Sequence, residues 1–137
     1  LESIPYAEDS LIINDAYNAS PTSMKAAVDV ISDLNDFEFK TLVLGSMFEL
    51  GPNEVEYHSG VGTYINNNSR GINLVISVGA LAKNITNNIN NKDINTLHFS
   101  TVEEVTDYLK ANKHKNEVIL FKASRSMKLE TIISDIK

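Results

Sequence analysis

The 137-residue sequence contains no cysteine, which excludes disulfide bridges, thiolate metal sites and cysteine nucleophiles. No apolar run approaches the ~20 residues that a membrane-spanning helix requires, so we expect no membrane insertion. The first residues carry neither the basic region nor the apolar core of a secretory signal. Because the chain starts at Leu1 and not at a methionine, we expect it to be part of a longer protein.

Basic charge is scarce. The 12 Lys and Arg residues are outnumbered by 18 Asp and Glu, and the formal net charge is −6. Proteins that bind nucleic acid usually carry a basic excess or stripe, so we predict no nucleic-acid partner.

The three histidines, His58, His98 and His114, lack metal-ligand spacing, and we predict no metal site. We interpret His58 as a residue on a helix surface or at an interface.

Two phosphate-binding fingerprints are also missing. The chain has no G-x-x-x-x-G-K-[ST] loop and no G-x-G-x-x-G motif. Gly60 and Gly62 lie inside a helical pattern and complete neither of them. If a nucleotide binds to this chain, another domain must therefore hold its phosphates.

The apolar residues that are present predict an α/β domain. Short, nearly continuous apolar runs indicate buried strands, and segments with helical spacing lie between them. The predicted strands are Leu11–Asn14, Lys40–Gly45, Leu74–Val78, Thr96–Phe99 and Asn116–Lys122. The predicted helices follow Pro21, Glu54, Leu81, Thr101 and Ser124. This alternation indicates one Rossmann-like, three-layer domain over residues 1–137, with a mostly parallel sheet of five to six strands and helices on both faces. Residues 1–5 suit a further, antiparallel edge strand.

A turn rich in ligand-binding groups follows the strand Leu11–Asn14. In parallel sheets such a turn lies at the carboxyl ends of the strands, where these folds bind ligands. We expect Asp15 on an exposed turn, where it could accept hydrogen bonds from a ribose, hold a metal or simply cap the turn. Tyr17 could stack on a base or be a half-buried aromatic residue. Asn18 could bind a ligand amide or form an Asx turn.

Two further loops, Ser46–Gly51 and Ala123–Met127, follow strands of the same sheet. We expect both to meet the Asp15 turn at one edge. Lys122, Ser124 and Arg125 lie at the start of the last predicted helix, where free N–H groups and the helix dipole favour an anion. The alternative is that Ser124 caps this helix and Arg125 is solvated.

Three segments resemble the signatures of one enzyme family, the Mur ligases. The run from Asp15 to Ala27 resembles D-x-Y-N-A-N-P-x-S-M-x-A-A, and Leu44–Gly51 is similar to L-G-D-M-x-E-L-G. Phe121–Glu130 is similar to V-K-G-S-R-x-M-x-[ML]-E. The Y-N-A pattern resembles most the branch that adds D-alanyl-D-alanine to UDP-N-acetylmuramoyl-tripeptide. The resemblance covers only the C-terminal domain of these three-domain enzymes, without the UDP-sugar and central ATPase domains.

The resemblance implies ATP-dependent amide formation through an acyl phosphate in cytoplasmic peptidoglycan synthesis, which supports cell wall biogenesis, cell shape and cell division. It implies that ATP and Mg²⁺ are held mainly by the central domain, against which this domain packs. The whole enzyme would be a monomer, and this chain alone would be inactive.

The resemblance also implies roles for individual residues. Asp15 would contact the ATP ribose, with Tyr17 and Asn18 beside the nucleotide. The substrate-binding residues would be Ser124, Arg125, Ser46, Glu49 and Lys122. The resemblance assigns no catalytic residue to this domain.

The sequence departs from the family pattern at three positions. Ser46 replaces an aspartate, and Ala123 and Ser126 replace glycines, which would be strained if the backbone had positive φ. Two other functions stay open: the C-terminal domain of a folylpolyglutamate-type ligase, and a non-catalytic flavodoxin-like or receiver-like domain. The Y-N-A-S-P segment argues against the first, and the lack of a carboxylate after Leu74–Val78 argues against the second.

Overall fold

Strands and helices alternate along the chain, and the computed structural model describes all residues from Leu1 to Lys137. The strands are β1 (Glu2–Tyr6), β2 (Ser10–Asp15), β3 (Phe39–Gly45), β4 (Leu74–Val78), β5 (Asn95–Phe99) and β6 (Glu117–Lys122). The α-helices are α1 (Pro21–Asp33), α2 (Glu54–Asn68), α3 (Lys83–Thr86), α4 (Val102–Ala111) and α5 (Glu130–Ile136). Two 3₁₀ turns, Gly51–Asn53 and Arg125–Met127, precede α2 and α5.

The six strands form one sheet in the order β1-β2-β6-β3-β4-β5. Only the β1–β2 pair is antiparallel. The predicted fold class is therefore confirmed, including the antiparallel edge strand at the N-terminus. Strand β6 lies between β2 and β3, so the segment that follows β6 lies between the ends of β2 and β3.

Two apolar layers cover the sheet because successive residues of each strand point to opposite faces. In β6, Val118 and Leu120 pack with the layer under α1 and α2. Ile119 and Phe121 pack with the layer under α4 and α5. All four side chains are buried, as expected for a central parallel strand with helices on both faces.

The start of α1 follows from local sequence. Ser20 is the N-cap, and its hydroxyl accepts a hydrogen bond from the Ser23 N–H at 3.1 Å, while Pro21 occupies the first turn.

The opposite end of the sheet holds Lys40, a buried cation whose Nζ donates to the carbonyl oxygens of Ile31 and Ser32. Burial lowers the pKa of Lys40.

Two predicted helices differ from the observed ones. The helix expected from Leu81 to Ile89 reduces to α3, and Gly62 of α2 contacts it so closely that an added Cβ would lie 2.1 Å from the Ile85 oxygen. The helix expected from Ser124 begins only at Glu130, because Lys128 adopts a left-handed conformation with φ of 56°. No helix of the structure combines the length and the apolar character needed to cross a membrane.

Candidate functional site

Three loops meet at the carboxyl edge of the sheet, as predicted. Asp15 and Leu44 both pair in register with Lys122, so β2, β6 and β3 end at the same level. The segment after β6 therefore contacts the loop after β2 on one side and the loop after β3 on the other.

Lys122 connects the loop after β2 to the segment after β6. Its Nζ donates to Asp15 Oδ2 at 2.7 Å and to the Asn18 carbonyl oxygen at 3.1 Å. The Lys122 side chain is 4% exposed and that of Asp15 is 23% exposed. The expected exposed turn at Asp15 is therefore wrong, since the residue ends β2 and balances a buried charge. Asp15 Oδ1 takes no hydrogen bond from the protein.

The turn itself is capped by a neighbouring side chain. Asn14 Oδ1 accepts a hydrogen bond from the Ala16 N–H at 3.1 Å, which is an Asx turn. The turn-capping role considered for Asp15 therefore belongs to Asn14. Asn18 Oδ1 accepts from the Ala19 N–H at 2.9 Å, while its side-chain NH₂ makes no bond within the chain.

Tyr17 and Arg125 form a second, exposed connection between the same two segments. Arg125 Nη1 donates to Tyr17 Oη at 3.3 Å, and the guanidinium lies 4.7 Å from the centre of the ring. Tyr17 is 72% exposed, so the half-buried position considered for it is wrong. Together with Asn14, Ala16 and Glu130, these two residues border an open cavity of about 380 Å³.

The loop after β3 is attached to the other side of the β6 segment. The Ser124 N–H donates to the Ser46 carbonyl oxygen at 3.1 Å, and the Phe48 N–H donates to Ser124 Oγ at 2.8 Å. The Ser124 side chain therefore does not cap a helix. The predicted helix N-terminus at this position is also wrong, because residues 125–127 form a 3₁₀ turn ahead of α5. Binding of an anion by Ser124 and Arg125 stays a prediction.

Ser46 and Glu49 have opposite environments within this loop. Ser46 is 1% exposed, and its Oγ accepts a hydrogen bond from the Ala82 N–H at 3.2 Å. Glu49 is exposed and has a φ of 63°. Of the two predicted substrate contacts on this loop, only Glu49 reaches the surface.

The position predicted for His58, on a helix surface or at an interface, is wrong. His58 is fully buried, and burial lowers its pKa. Its Nε2 accepts a hydrogen bond from the Met47 N–H at 2.9 Å, and its Nδ1 donates to the Glu54 carbonyl oxygen at 2.7 Å. A signal was present, because His58 shares the apolar side of α2 with Val61 and Ile65.

Two of the departures from the family pattern cause no backbone strain. Neither Ala123 nor Ser126 is among the residues with positive φ. Ala123 is buried beside Gly45, and an added Cβ on Gly45 would lie 2.6 Å from the Ala123 Cβ. The Ala123 methyl group therefore occupies space that Gly45, which has no side chain, leaves open.

The arrangement is suited to binding more than to chemistry. It presents an aromatic ring, a guanidinium, a free carboxylate oxygen and a hydroxyl on one face. No three His, Asp or Glu side chains come together as a metal-binding group. The groups on this face suit an anionic ligand with hydroxyl and planar parts, such as a nucleotide or a peptide carboxylate.

Comparison with known proteins gives consistent matches. The profile of the family described as "Mur ligase, glutamate ligase domain" matches residues 1–125. The chain is 42% identical over 128 residues to the UDP-N-acetylmuramoyl-tripeptide–D-alanyl-D-alanine ligase of Bacillus subtilis, covering 91% of this chain and 27% of that protein. It is 33% identical over 132 residues to the Escherichia coli ligase of the same name, covering 95% and 27%. The chain thus spans about a quarter of the length of these relatives.

Solved structures of MurF ligases superpose closely on this chain. A crystal structure of MurF from Acinetobacter baumannii superposes with a TM-score of 0.83 at 27% identity, covering 99% of this chain and 30% of that one. MurF ligase from Thermotoga maritima, solved in complex with ADP, gives a TM-score of 0.79 at 25% identity, covering 98% and 29%.

Proposed function

This chain belongs to the Mur ligase family, as its glutamate ligase domain, and we propose from this premise that it is the C-terminal domain of a ligase that joins D-alanyl-D-alanine to UDP-N-acetylmuramoyl-tripeptide. The observation that carries the proposal is the 42% identity to the Bacillus subtilis ligase of that name over 91% of this chain. The UDP-sugar and ATPase domains would belong to other parts of the full-length enzyme.

In this proposal ATP supplies the phosphoryl group that activates the tripeptide carboxylate. The amine of D-alanyl-D-alanine attacks the activated carbonyl carbon, an amide bond forms, and phosphate leaves. Mg²⁺ would be held outside this chain, since the site has no suitable group of ligands. The proposed setting is peptidoglycan synthesis in the cytoplasm, by a monomeric enzyme.

The chain's own residues would bind and orient the reactants. Asp15 Oδ1, which is free, would accept a hydrogen bond from the ribose. Tyr17 and Asn18 would lie beside the nucleotide, because the Tyr17 ring and the Asn18 NH₂ group are available. Holding the reactants in a dry, fixed geometry is a large part of catalysis for such a reaction, and closure of this domain against the ATPase domain would provide that geometry.

The dipeptide would be bound at the segment after β6, next to the nucleotide, because Arg125 already contacts Tyr17. Arg125 and the Ser124 hydroxyl would contact its carboxylate, and Glu49 would border the same region. Ser46 and Lys122 are buried and already bonded within the chain. In the proposal they contribute by holding the loops, without touching the dipeptide.

The test is an assay of phosphate release by the full-length protein with ATP, the UDP-linked tripeptide and D-alanyl-D-alanine. We expect turnover with the dipeptide and none with a folate and glutamate as substrates. We also expect no turnover by this chain alone. Preference for glutamate, or robust turnover by residues 1–137 alone, would overturn the proposal.

The role of Arg125 has its own test. Arg125→Ala in the full-length protein is expected to raise the KM for the dipeptide by about tenfold or more, because a charge-assisted hydrogen bond is lost. Lys128→Gln removes an exposed cation three residues away and should leave that KM unchanged. Equal effects of both variants would indicate general electrostatics and not a contact.

A further inference from the structure

His58 exists in a single neutral form in this fold. The Met47 N–H can only donate, so His58 Nε2 must accept, at 2.9 Å. The ring proton is therefore on Nδ1 and is donated to the Glu54 carbonyl oxygen at 2.7 Å. Both ring nitrogens are used, and the side chain is fully buried. The imidazole thus connects the first turn of α2 to the loop after β3.

The next amide along the chain connects this loop to the predicted ligand site. The Phe48 N–H donates to Ser124 Oγ at 2.8 Å. A serine hydroxyl that accepts in this way keeps its own hydrogen as a donor. The Ser124 O–H has no acceptor within the chain, while the Ser124 N–H is held by Ser46.

We propose that His58 is a positioning residue that directs the Ser124 hydroxyl toward the ligand. By holding the Met47 amide, His58 holds the adjacent Phe48 amide against Ser124 Oγ. The Ser124 hydrogen then points away from Phe48 and is available to an acceptor such as a carboxylate. The inference rests on the proposed function, in which Ser124 contacts the carboxylate of the dipeptide.

The conformation of the loop explains why such an anchor is needed. Glu49 has a φ of 63°, a left-handed conformation that is unfavourable for glutamate. Such a conformation persists only where surrounding contacts determine it. The contacts here are those from His58 to Met47, from Ser124 to Phe48 and from the Ala82 N–H to Ser46.

Another histidine provides a matched control. His98 lies on the edge strand β5, where its Nδ1 is 2.7 Å from Ser77 Oγ. It has no hydrogen bond to the loop after β3. A variant at His98 therefore perturbs a hydrogen-bonded histidine of the same sheet without touching the amides of Met47 and Phe48.

The experiment compares His58→Leu, His58→Gln and His98→Asn in the full-length protein. Hydrogen exchange of a peptide covering residues 44–50 should be about tenfold faster in His58→Leu, because the Met47 hydrogen bond is lost. The KM for D-alanyl-D-alanine should rise severalfold, with the KM for ATP unchanged. Glutamine carries an acceptor oxygen and a donor NH₂ group, so His58→Gln should restore part of both properties. His98→Asn should alter neither.

Each outcome has a defined meaning. Unchanged exchange of residues 44–50 in folded His58→Leu would overturn the inference. So would faster exchange with an unchanged KM for the dipeptide, because the hydroxyl of Ser124 would then not depend on the loop. If His58→Leu fails to fold, His58→Gln decides by the same two measurements. If the wild-type protein does not use D-alanyl-D-alanine at all, the proposed function fails, and the exchange measurement still decides whether His58 holds the loop.

Discussion

Lys122 and Asp15 form an ion pair that joins the ends of two adjacent parallel strands, with 2.7 Å between Nζ and Oδ2. The ammonium is almost completely buried, and the carboxylate is its only counter-charge within salt-bridge distance. The carboxylate predicted to contact a ribose therefore also balances a cation inside the domain.

Asp15→Ala should for this reason destabilise the domain as well as affect the ligand. We expect the free energy of unfolding to fall by about 2–3 kcal/mol, somewhat less than for a fully buried pair, because Asp15 is partly exposed. Denaturant unfolding would measure this. Adding Lys122→Met should recover part of the loss by removing the unpaired charge. As a control, Asp93→Ala replaces an exposed carboxylate and should change the free energy of unfolding by less than about 0.5 kcal/mol. Equal stability of Asp15→Ala and the wild type would contradict the structural role.

Glu117 should make stability depend on pH. Burial raises its pKa to about 7, although hydrogen bonds from Thr41 Oγ1 and the His114 backbone act in the opposite direction. The folded state binds this proton more tightly than the unfolded state does, so protonation of Glu117 stabilises the fold. This stabilisation is fully present below about pH 4.5. It is lost as the pH rises through 7.

Glu117→Gln keeps an acceptor for Thr41 and removes the charge. At pH 8 the variant should be more stable than the wild type by up to about 3 kcal/mol, and near pH 4.5 the two should be similar. Thermal or denaturant unfolding at both pH values tests this. A stability difference that does not change with pH would show that Glu117 is not the titrating group.

Gly45 and Ala123 should behave as a complementary pair. Gly45→Ala is expected to cost about 1–3 kcal/mol, because its Cβ would lie 2.6 Å from that of Ala123. The double variant Gly45→Ala with Ala123→Gly exchanges the two methyl positions and should regain part of the loss. If the two effects simply add, the methyl groups do not share one space.

The N-cap of α4 is Thr101 and not the adjacent Ser100. Thr101 Oγ1 accepts from the Glu104 N–H at 3.3 Å, and the Glu104 carboxylate accepts from the Thr101 N–H at 3.0 Å. Thr101→Ala should cost about 1 kcal/mol of stability. Ser100→Ala should cost little, since its hydroxyl makes no hydrogen bond. A larger loss from Ser100→Ala would contradict this assignment.

The elements that local chemistry dictates were predictable. The apolar runs placed β3, β4 and β6 to within a residue or two, because strands covered on both faces require continuous apolar side chains. Ser20 and Pro21 placed the start of α1 by capping and a fixed φ. The convergence of three loops followed from the parallel order of the strands.

The partners of the polar side chains were not predictable. Asp15 faces Lys122, which is 107 positions away, and Ser124 accepts from Phe48, which is 76 positions away. Sequence alone cannot show such distant partners. The burial of His58 likewise depends on how α2 packs against the loop after β3.

The sequence by itself determined the class of fold, the family and the edge of the sheet where the site lies, since these follow from periodicity, capping and motifs along one chain. Only the tertiary structure decided which polar groups are already satisfied by one another and which remain free for a ligand. The physical reason is that a buried charge or amide must find a partner, and that partner is supplied by whichever element the fold places beside it.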